Sequence, residues 1–213
     1  VAQDFQALEA ALAEVSGVTV SDLVAHEIRV AQDELDSRVL LMELSSALSH
    51  GMASGGPGRM NTGTIELDAL TDALSLSQRL GVKTPEGRQM VFTAKVVLRL
   101  RQTMLSGDYE EAHLTLEAVR GKTLSAVAMH EIRAVQDEVE NWMITTECTR
   151  AISSGKARGE VGSLDTSVIS VAALRKALHH GEELGCKTAE ARELMLAGQM
   201  LLRLRLAMLE NNW

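Results

Sequence analysis

Apolar residues recur at steps of three and four through residues 21–50, at Val24, Ile28, Ala31, Leu35, Val39 and Met42. This spacing places them on one face of an α-helix. The same steps return further along, at Ala128, Ile132, Val135, Val139 and Met143. The pattern therefore predicts two long helices, each with a buried, coiled-coil-like seam.

The whole chain repeats itself at a fixed offset. Residues 26–34 read HEIRVAQDE, and residues 130–138, 104 positions later, read HEIRAVQDE. Residues 81–84 (GVKT) and 98–101 (LRLR) return at the same offset as GCKT and LRLR, with no insertion between them. A fixed long period is the mark of a repeat array. The sequence thus predicts two tandem copies stacked end to end: the first copy (residues 1–107) and the second copy (residues 108–211).

The last two residues continue the pattern. Residues 212–213 align with residues 108–109, so we expect them to begin a truncated third copy, and we expect the chain to be a piece of a longer array.

Each copy is expected to form an all-α, antiparallel bundle of about four helices. In the first copy these are predicted near residues 4–16, 21–50, 65–80 and 84–106, with Asp, Ser or Thr at their starts and Gly at their ends. The segment GGPG at residues 55–58 predicts an irregular surface loop. At Gly107-Asp108 the chain either starts a new helix or kinks a nearly continuous one.

Composition agrees with helices and narrows the partners. Apolar residues make up 46% and aromatics only 2%, so the core must be aliphatic, and two prolines in 213 residues favour helix. A net charge of −8 argues against nucleic acid and against an anionic membrane surface. Cys148 and Cys186 align with Leu44 and Val82, so we expect buried thiols rather than a disulfide, which favours a reducing cytoplasm.

The repeated HEIRxxQDE segment places three polar residues on one helix face away from the seam: His26, Arg29 and Asp33 in the first copy, and His130, Arg133 and Asp137 in the second. Arg29 and Asp33 stand four positions apart and can pair. Two interpretations stay open. The face is either a contact stripe for a partner or a neighbouring unit, or an internal polar network that fixes the helix on its neighbours.

Arg101 lies on the same helical line as apolar Ala94, Val97 and Met104, and a half-buried guanidinium requires a carboxylate. We predict that Arg101 and Arg205 each pair with an acid on the long helix of their own copy, with Glu27 and Glu131 as first choices. The alternatives are Glu34/Glu138 and Glu43/Glu147, and the less favoured role for the arginines is anion binding.

Three of the five aromatics recur at one phase of the repeat: Phe5, Tyr109 and Trp213. We predict that they mark the junctions between units, because a large rigid side chain suits a joint. Tyr109 is expected to be well buried against residues such as Leu105, and Trp213 to be more exposed.

No catalytic, cofactor-binding or metal-binding residue is predicted. The segment HEIRV lacks the second histidine of a zinc-binding HExxH helix, and no phosphate-binding loop is present. His179-His180 followed by Glu182-Glu183 has metal-pair spacing, but the first copy has Ser75, Leu76, Gln78 and Arg79 there, so a solvated face is expected.

The predicted function is a non-catalytic structural or protein-interaction module, one segment of a helical array within a larger cytoplasmic, cytoskeleton- or motor-associated scaffold. Its partners would be other repeats and other proteins, without cofactor, nucleic acid or membrane. In period and helicity the copies resemble spectrin-like repeats, but no long first helix carries a tryptophan, so that family is not assigned. The alternative is a helical-bundle sensor or small-ligand module, which requires a polar-lined pocket present in both copies.

Overall fold

The computed structural model describes residues 2–18, 21–159 and 165–210, with side chains from Gln6 onward except that of Leu23. This part of the chain contains eight α-helices and no β-strand, so the all-α prediction is confirmed. The helices are α1 (Ala2–Val15), α2 (Asp22–Ser49), α3 (Asp68–Leu80), α4 (Pro85–Ser106), α5 (Tyr109–Val119), α6 (Met129–Ser153), α7 (Ala172–Leu184) and α8 (Ala189–Glu210).

Local structure follows the 104-residue offset closely. Helices α3 and α7 begin and end at equivalent positions, as do α4 and α8. An isolated antiparallel bridge joins Ser54 to Asn61, and its equivalent joins Arg158 to Asp165. The starts of the long helices differ, because the short 3-10 turn Ala126–Ala128 precedes α6 where the first turn of α2 is already α-helical.

The predicted helix ends have the expected chemistry at α4. The Thr84 hydroxyl accepts a hydrogen bond from the Gly87 N–H at 3.0 Å, and Pro85 occupies the first turn. Gly107 closes the helix in the left-handed conformation (φ 70°, ψ 19°), and Asp108 caps the next helix by accepting from the Glu111 N–H. The nearly continuous helix considered as an alternative at this junction is therefore wrong.

Helix α5 folds back antiparallel along α4. Arg99 forms an ion pair with Glu111 near the turn, and further from it the Ser125 N–H donates to the Thr93 hydroxyl at 2.9 Å. Earlier residues of α4 thus meet later residues of the following segment. The first helix of the second copy packs on the last helix of the first copy.

The chain forms two compact units whose limits are not those of the sequence copies. Unit 1 comprises residues 1–53 and 62–132, and unit 2 comprises residues 54–61 and 133–213. Helix α5 and the start of α6 belong to unit 1: α5 packs on α4, the turn Ala126–Ala128 packs on α2, and Glu131 pairs with Arg101 on α4. The compact units and the sequence copies therefore divide the chain at different places.

The seam predicted on α2 is only half right. Val24, Val39 and Met42 are exposed, and the buried residues of α2 lie on another face, at Ser37, Leu40, Leu44, Ala47 and Leu48. In the second copy the same pattern is buried at Ala128, Ile132, Val135 and Val139. Periodicity identified the apolar face in both copies, but burial also requires something to cover that face.

The core of unit 2 is aliphatic, as predicted, and it includes the thiol of Cys148 beside Ala151, Leu174, Leu178 and Met195. Both cysteines are free, Cys148 being buried and Cys186 partly exposed. Burial raises the pKa of the Cys148 thiol above its usual range.

The two thiols are expected to differ in reactivity. At mildly alkaline pH iodoacetamide should alkylate Cys186 first, and Cys148 only slowly, because the thiolate is the nucleophile and burial disfavours it. Since the pKa of Cys148 is raised in the folded state, the neutral thiol contributes fully to the free energy of unfolding below the pKa of the unfolded state. This contribution is lost as the pH rises through the pKa of the folded state. Mass spectrometry measures the order in which the two thiols are modified. Equal rates for Cys148 and Cys186 in the native protein would contradict the prediction. In denaturant both thiols should react alike.

Gly51 is expected to be one of the loop glycines that are hardest to replace. It has φ +65°, and an added Cβ would lie 2.6 Å from the Glu66 Cβ and 3.0 Å from the Glu66 backbone. Gly51→Ala should lower the free energy of unfolding by about 3 kcal/mol, combining a left-handed residue with overpacking. Gly107→Ala is the control, because it has φ +70° and nothing within 4 Å, and should cost only about 1 kcal/mol. Urea unfolding of both variants measures the difference, and equal losses would disprove the steric part.

Candidate functional site

The largest fully buried side chain among the described residues is that of Arg101 on α4, 1% exposed. Its Nε donates to Glu131 Oε1 at 2.7 Å and its Nη2 to Glu131 Oε2 at 2.9 Å, a bidentate ion pair with a carboxylate that is itself 4% exposed. Nη1 donates to the Glu66 carbonyl at 3.1 Å, and Nη2 also lies 3.4 Å from the Leu48 carbonyl. One guanidinium thus joins the end of α2, the loop before α3, α4 and the first turn of α6.

The predicted partner was wrong by one repeat. Arg101 was expected to bind Glu27 of its own copy, but it binds Glu131, the residue equivalent to Glu27 in the second copy. Glu27 is exposed. The physical reason is the fold-back at Gly107, which brings the start of α6 onto α4 within unit 1.

Arg205 on α8 has the same surroundings except for the acid. It is 3% exposed, its Nη1 donates to the Ser170 carbonyl at 3.1 Å, and its Nη2 donates to the Ile152 carbonyl at 3.1 Å. These acceptors are the equivalents of Glu66 and Leu48. Within the described residues no carboxylate pairs with Arg205, so the predicted Arg205–Glu131 pair is also wrong.

The alternative acids have other partners. Glu34 pairs with Arg38 on the same helix, and Glu147 accepts from His180 at 2.9 Å. Glu138 accepts from the Gly58 N–H within unit 2, and Glu43 is exposed.

The HEIRxxQDE face of the first copy is exposed at His26 and Arg29. Arg29 donates to the Ala25 carbonyl at 3.2 Å, whereas Asp33 forms its ion pair with Lys83. The suggested Arg29–Asp33 pair is therefore not formed.

The second copy repeats this arrangement. His130 and Arg133 are exposed, and Asp137 accepts from Lys187 at 2.7 Å. The hydrogen bond from each lysine to its aspartate raises the pKa of Lys83 and of Lys187. In both copies a solvent-exposed ion pair of the aspartate therefore ties the long helix to the loop before the last helix, while the histidine and arginine are exposed. The contact-stripe and internal-network interpretations both stay predictions.

The glycine-rich loop has a role that the sequence did not reveal. Residues 54–61 belong to unit 2, where an added Cβ on Gly58 would lie 3.1 Å from Thr188 and 3.3 Å from the Asn141 amide. The Thr188 hydroxyl in turn hydrogen-bonds Asn141 Oδ1 at 2.6 Å. The loop thus lies at the surface, as predicted, and it also contacts α6 through the Gly58 N–H and Glu138, a contact that no sequence signal indicated.

The junction aromatics are only partly described. Tyr109 is half-buried and Leu105 is exposed, so Tyr109 is less buried than expected. The side chain of Phe5 and all of Trp213 lie outside the described residues.

No group of three or more His, Cys, Asp or Glu side chains is arranged to hold a metal ion in the part of the chain that the structure describes. His180 is half-buried and bound to Glu147, which differs from the expected solvated face, whereas His179 is exposed beside Glu183. None of the helices within the described ranges is long and apolar enough to cross a bilayer.

Comparisons with protein-family models, with curated proteins and with solved structures found no match to this chain.

The ion pair predicts a large difference between two equivalent residues. Glu131→Gln should lower the free energy of unfolding by about 3 kcal/mol, because it leaves a buried guanidinium without a counter-charge. The control is Glu27→Gln, the same change at the equivalent exposed position, which should alter stability by less than about 0.5 kcal/mol. Chemical denaturation measures both, and similar losses would show that the pair does not stabilise the fold.

Proposed function

We propose that the chain is a segment of a tandem α-helical repeat array and acts as a non-catalytic structural and protein-interaction module. Other copies of the repeat and other proteins are its partners. The setting we propose is a cytoplasmic scaffold, with the cytoskeleton or a motor as the assembly it serves.

The observation that carries this proposal is the Arg101–Glu131 pair. It joins the last helix of the first sequence copy to the long helix of the second. In a repeat array each unit is stabilised through its nearest neighbours, so the strongest buried polar contact is expected where two copies meet. A buried ion pair also fixes register, because a shifted docking leaves both charges unpaired.

Two clefts within the described residues bear on the small-ligand alternative. One of about 340 Å³ lies between α7 and α8, and one of about 490 Å³ lies between α2 and α3. Helices α2 and α3 are equivalent to α6 and α7, so these two clefts occupy different positions in the two copies. A repeated ligand site would place its cleft at the same position in each.

A chain with a third copy tests the array. Residues 110–211 are added once more after Trp213, which keeps the 104-residue register. Amide hydrogen exchange in α8 should slow by roughly tenfold or more, because the added helices cover α8 and stabilise it. The matched control is the same three-copy chain with Gln in place of Glu131 in the added copy. A third copy that folds while leaving the exchange of α8 unchanged would contradict the proposed function.

A further inference from the structure

The two copies expose the separate halves of one interface. Arg205 is buried with both of its carbonyl contacts in place and no described carboxylate beside it. Glu27 is a carboxylate exposed on α2, although its equivalent Glu131 is buried on Arg101. Among the described residues, Arg205 therefore lacks the acid that Arg101 has, and Glu27 lacks the arginine that Glu131 has.

Apolar side chains on another side of α8 show the same contrast. Met200 and Leu204 on α8 are 62% and 57% exposed, whereas their equivalents Val96 and Leu100 on α4 are 7% and 1% exposed. Leu196 is likewise exposed. We call the surface formed by Leu196, Met200 and Leu204 the α8 face; Arg205 is buried on another side of the same helix. The α8 face is the counterpart of the α4 surface that is covered within unit 1.

The start of the chain carries the complementary surface. Val24 is exposed where its equivalent Ala128 is fully buried, and Ile28 is partly exposed where Ile132 is buried. No described side chain of α1 is buried, although its equivalent α5 buries Ala112, Thr115 and Val119. We call the surface formed by α1 with Val24, Glu27 and Ile28 the α2 face.

We propose that the α8 face of one molecule binds the α2 face of a second copy of this chain, head to tail. The proposal rests on the proposed function, since it uses the contact between copies as the contact between molecules. Glu27 of the second molecule occupies the position at Arg205 that Glu131 occupies at Arg101. Its α1 lies along α8 as α5 lies along α4.

Electrostatics and geometry both favour this occupant over an unrelated partner. Arg205 requires a carboxylate in a fixed bidentate geometry, and its carbonyl contacts already orient it as Arg101 is oriented. The segment that satisfies Arg101 in this chain has the same His-Glu-Ile-Arg sequence as the segment that carries Glu27. The α2 face therefore has the charge and most of the apolar residues of the segment that covers α4 in unit 1.

The contact leaves one face free on each end of the complex. Such a head-to-tail interface is heterologous, and it adds molecules one by one unless it closes into a ring. Sedimentation and light scattering of the full chain should therefore show a mass that rises with concentration, from 23.0 kDa through its multiples. A mass of one chain at every concentration would overturn the proposal.

Two exposed substitutions separate the faces without disturbing the core. Glu27→Arg blocks the α2 face by setting two positive charges against each other, and Leu204→Asp blocks the α8 face with a buried carboxylate. Each variant alone should stay monomeric, while the milder Glu27→Gln should weaken association roughly 30-fold. Leu114→Asp is the control, since Leu114 is 61% exposed and lies on α5, outside both faces, so it should associate as the parent does.

Mixing the two blocked variants gives the sharpest result. Glu27→Arg retains a free α8 face and Leu204→Asp retains a free α2 face, so the mixture should form a dimer of one molecule of each that grows no further. If exposed leucines and methionines simply adhered to each other, the Glu27→Arg variant alone would still associate. If the contact were symmetric, through α8 of both molecules, the mixture would contain no dimer of one molecule of each variant. Either outcome overturns the proposal.

The result is also separable from that of the three-copy chain. If the added third copy protects α8 but the two-copy chain stays monomeric, the head-to-tail proposal fails and the array stands. If the third copy leaves α8 unprotected as well, both fail.

Discussion

The structure depends on the rule that a buried guanidinium must have a counter-charge. Arg101 is almost wholly inaccessible and is bound on three sides, by Glu131, by the Glu66 carbonyl and by the Leu48 carbonyl. An unpaired charge in this position costs several kcal/mol, a large part of the stability of a small helical unit. Because the carbonyls lie on one sequence copy and the carboxylate on the next, unit 1 is complete only when it includes the start of the second copy. This explains why the compact unit extends to residue 132 and not to residue 107.

Sequence patterns predicted the local structure well because local structure depends on nearby residues. The helix from Pro85 to Ser106 follows from a threonine cap, a proline in the first turn and a glycine at the end, all within or next to the helix itself. The buried arginine and the correct residue type of its partner also followed from the sequence, since Arg101 lies on an apolar line. The copy that supplies the acid did not follow, because Glu27 and Glu131 lie in nearly identical segments. Only the fold-back at Gly107 distinguishes them.

Burial was predicted less well than periodicity for the same reason. Val24 and Ala128 occupy the same position of the repeat, yet one is exposed and the other fully buried. Sequence spacing identifies the face of a helix that is apolar, and neighbouring elements determine whether that face is covered. Likewise, the glycine-rich loop reads as free surface from composition, and its contacts with Asn141 and Thr188 depend on residues distant in sequence.

The two copies also differ in ways that preserve the contact. In the core of the second copy Gly181 and Met195 replace Ser77 and Val91, so the larger methionine occupies space that the glycine leaves. His180 and Glu147 form a pair where the first copy has Leu76 and Glu43. By contrast, the arginine, the acid and the two carbonyl positions that surround them are present in both copies. Cores tolerate such exchanges when volume is kept, whereas a bidentate ion pair tolerates almost none. The residues that stay unchanged are therefore those of the ion pair, whose geometry is the most demanding of the contacts compared.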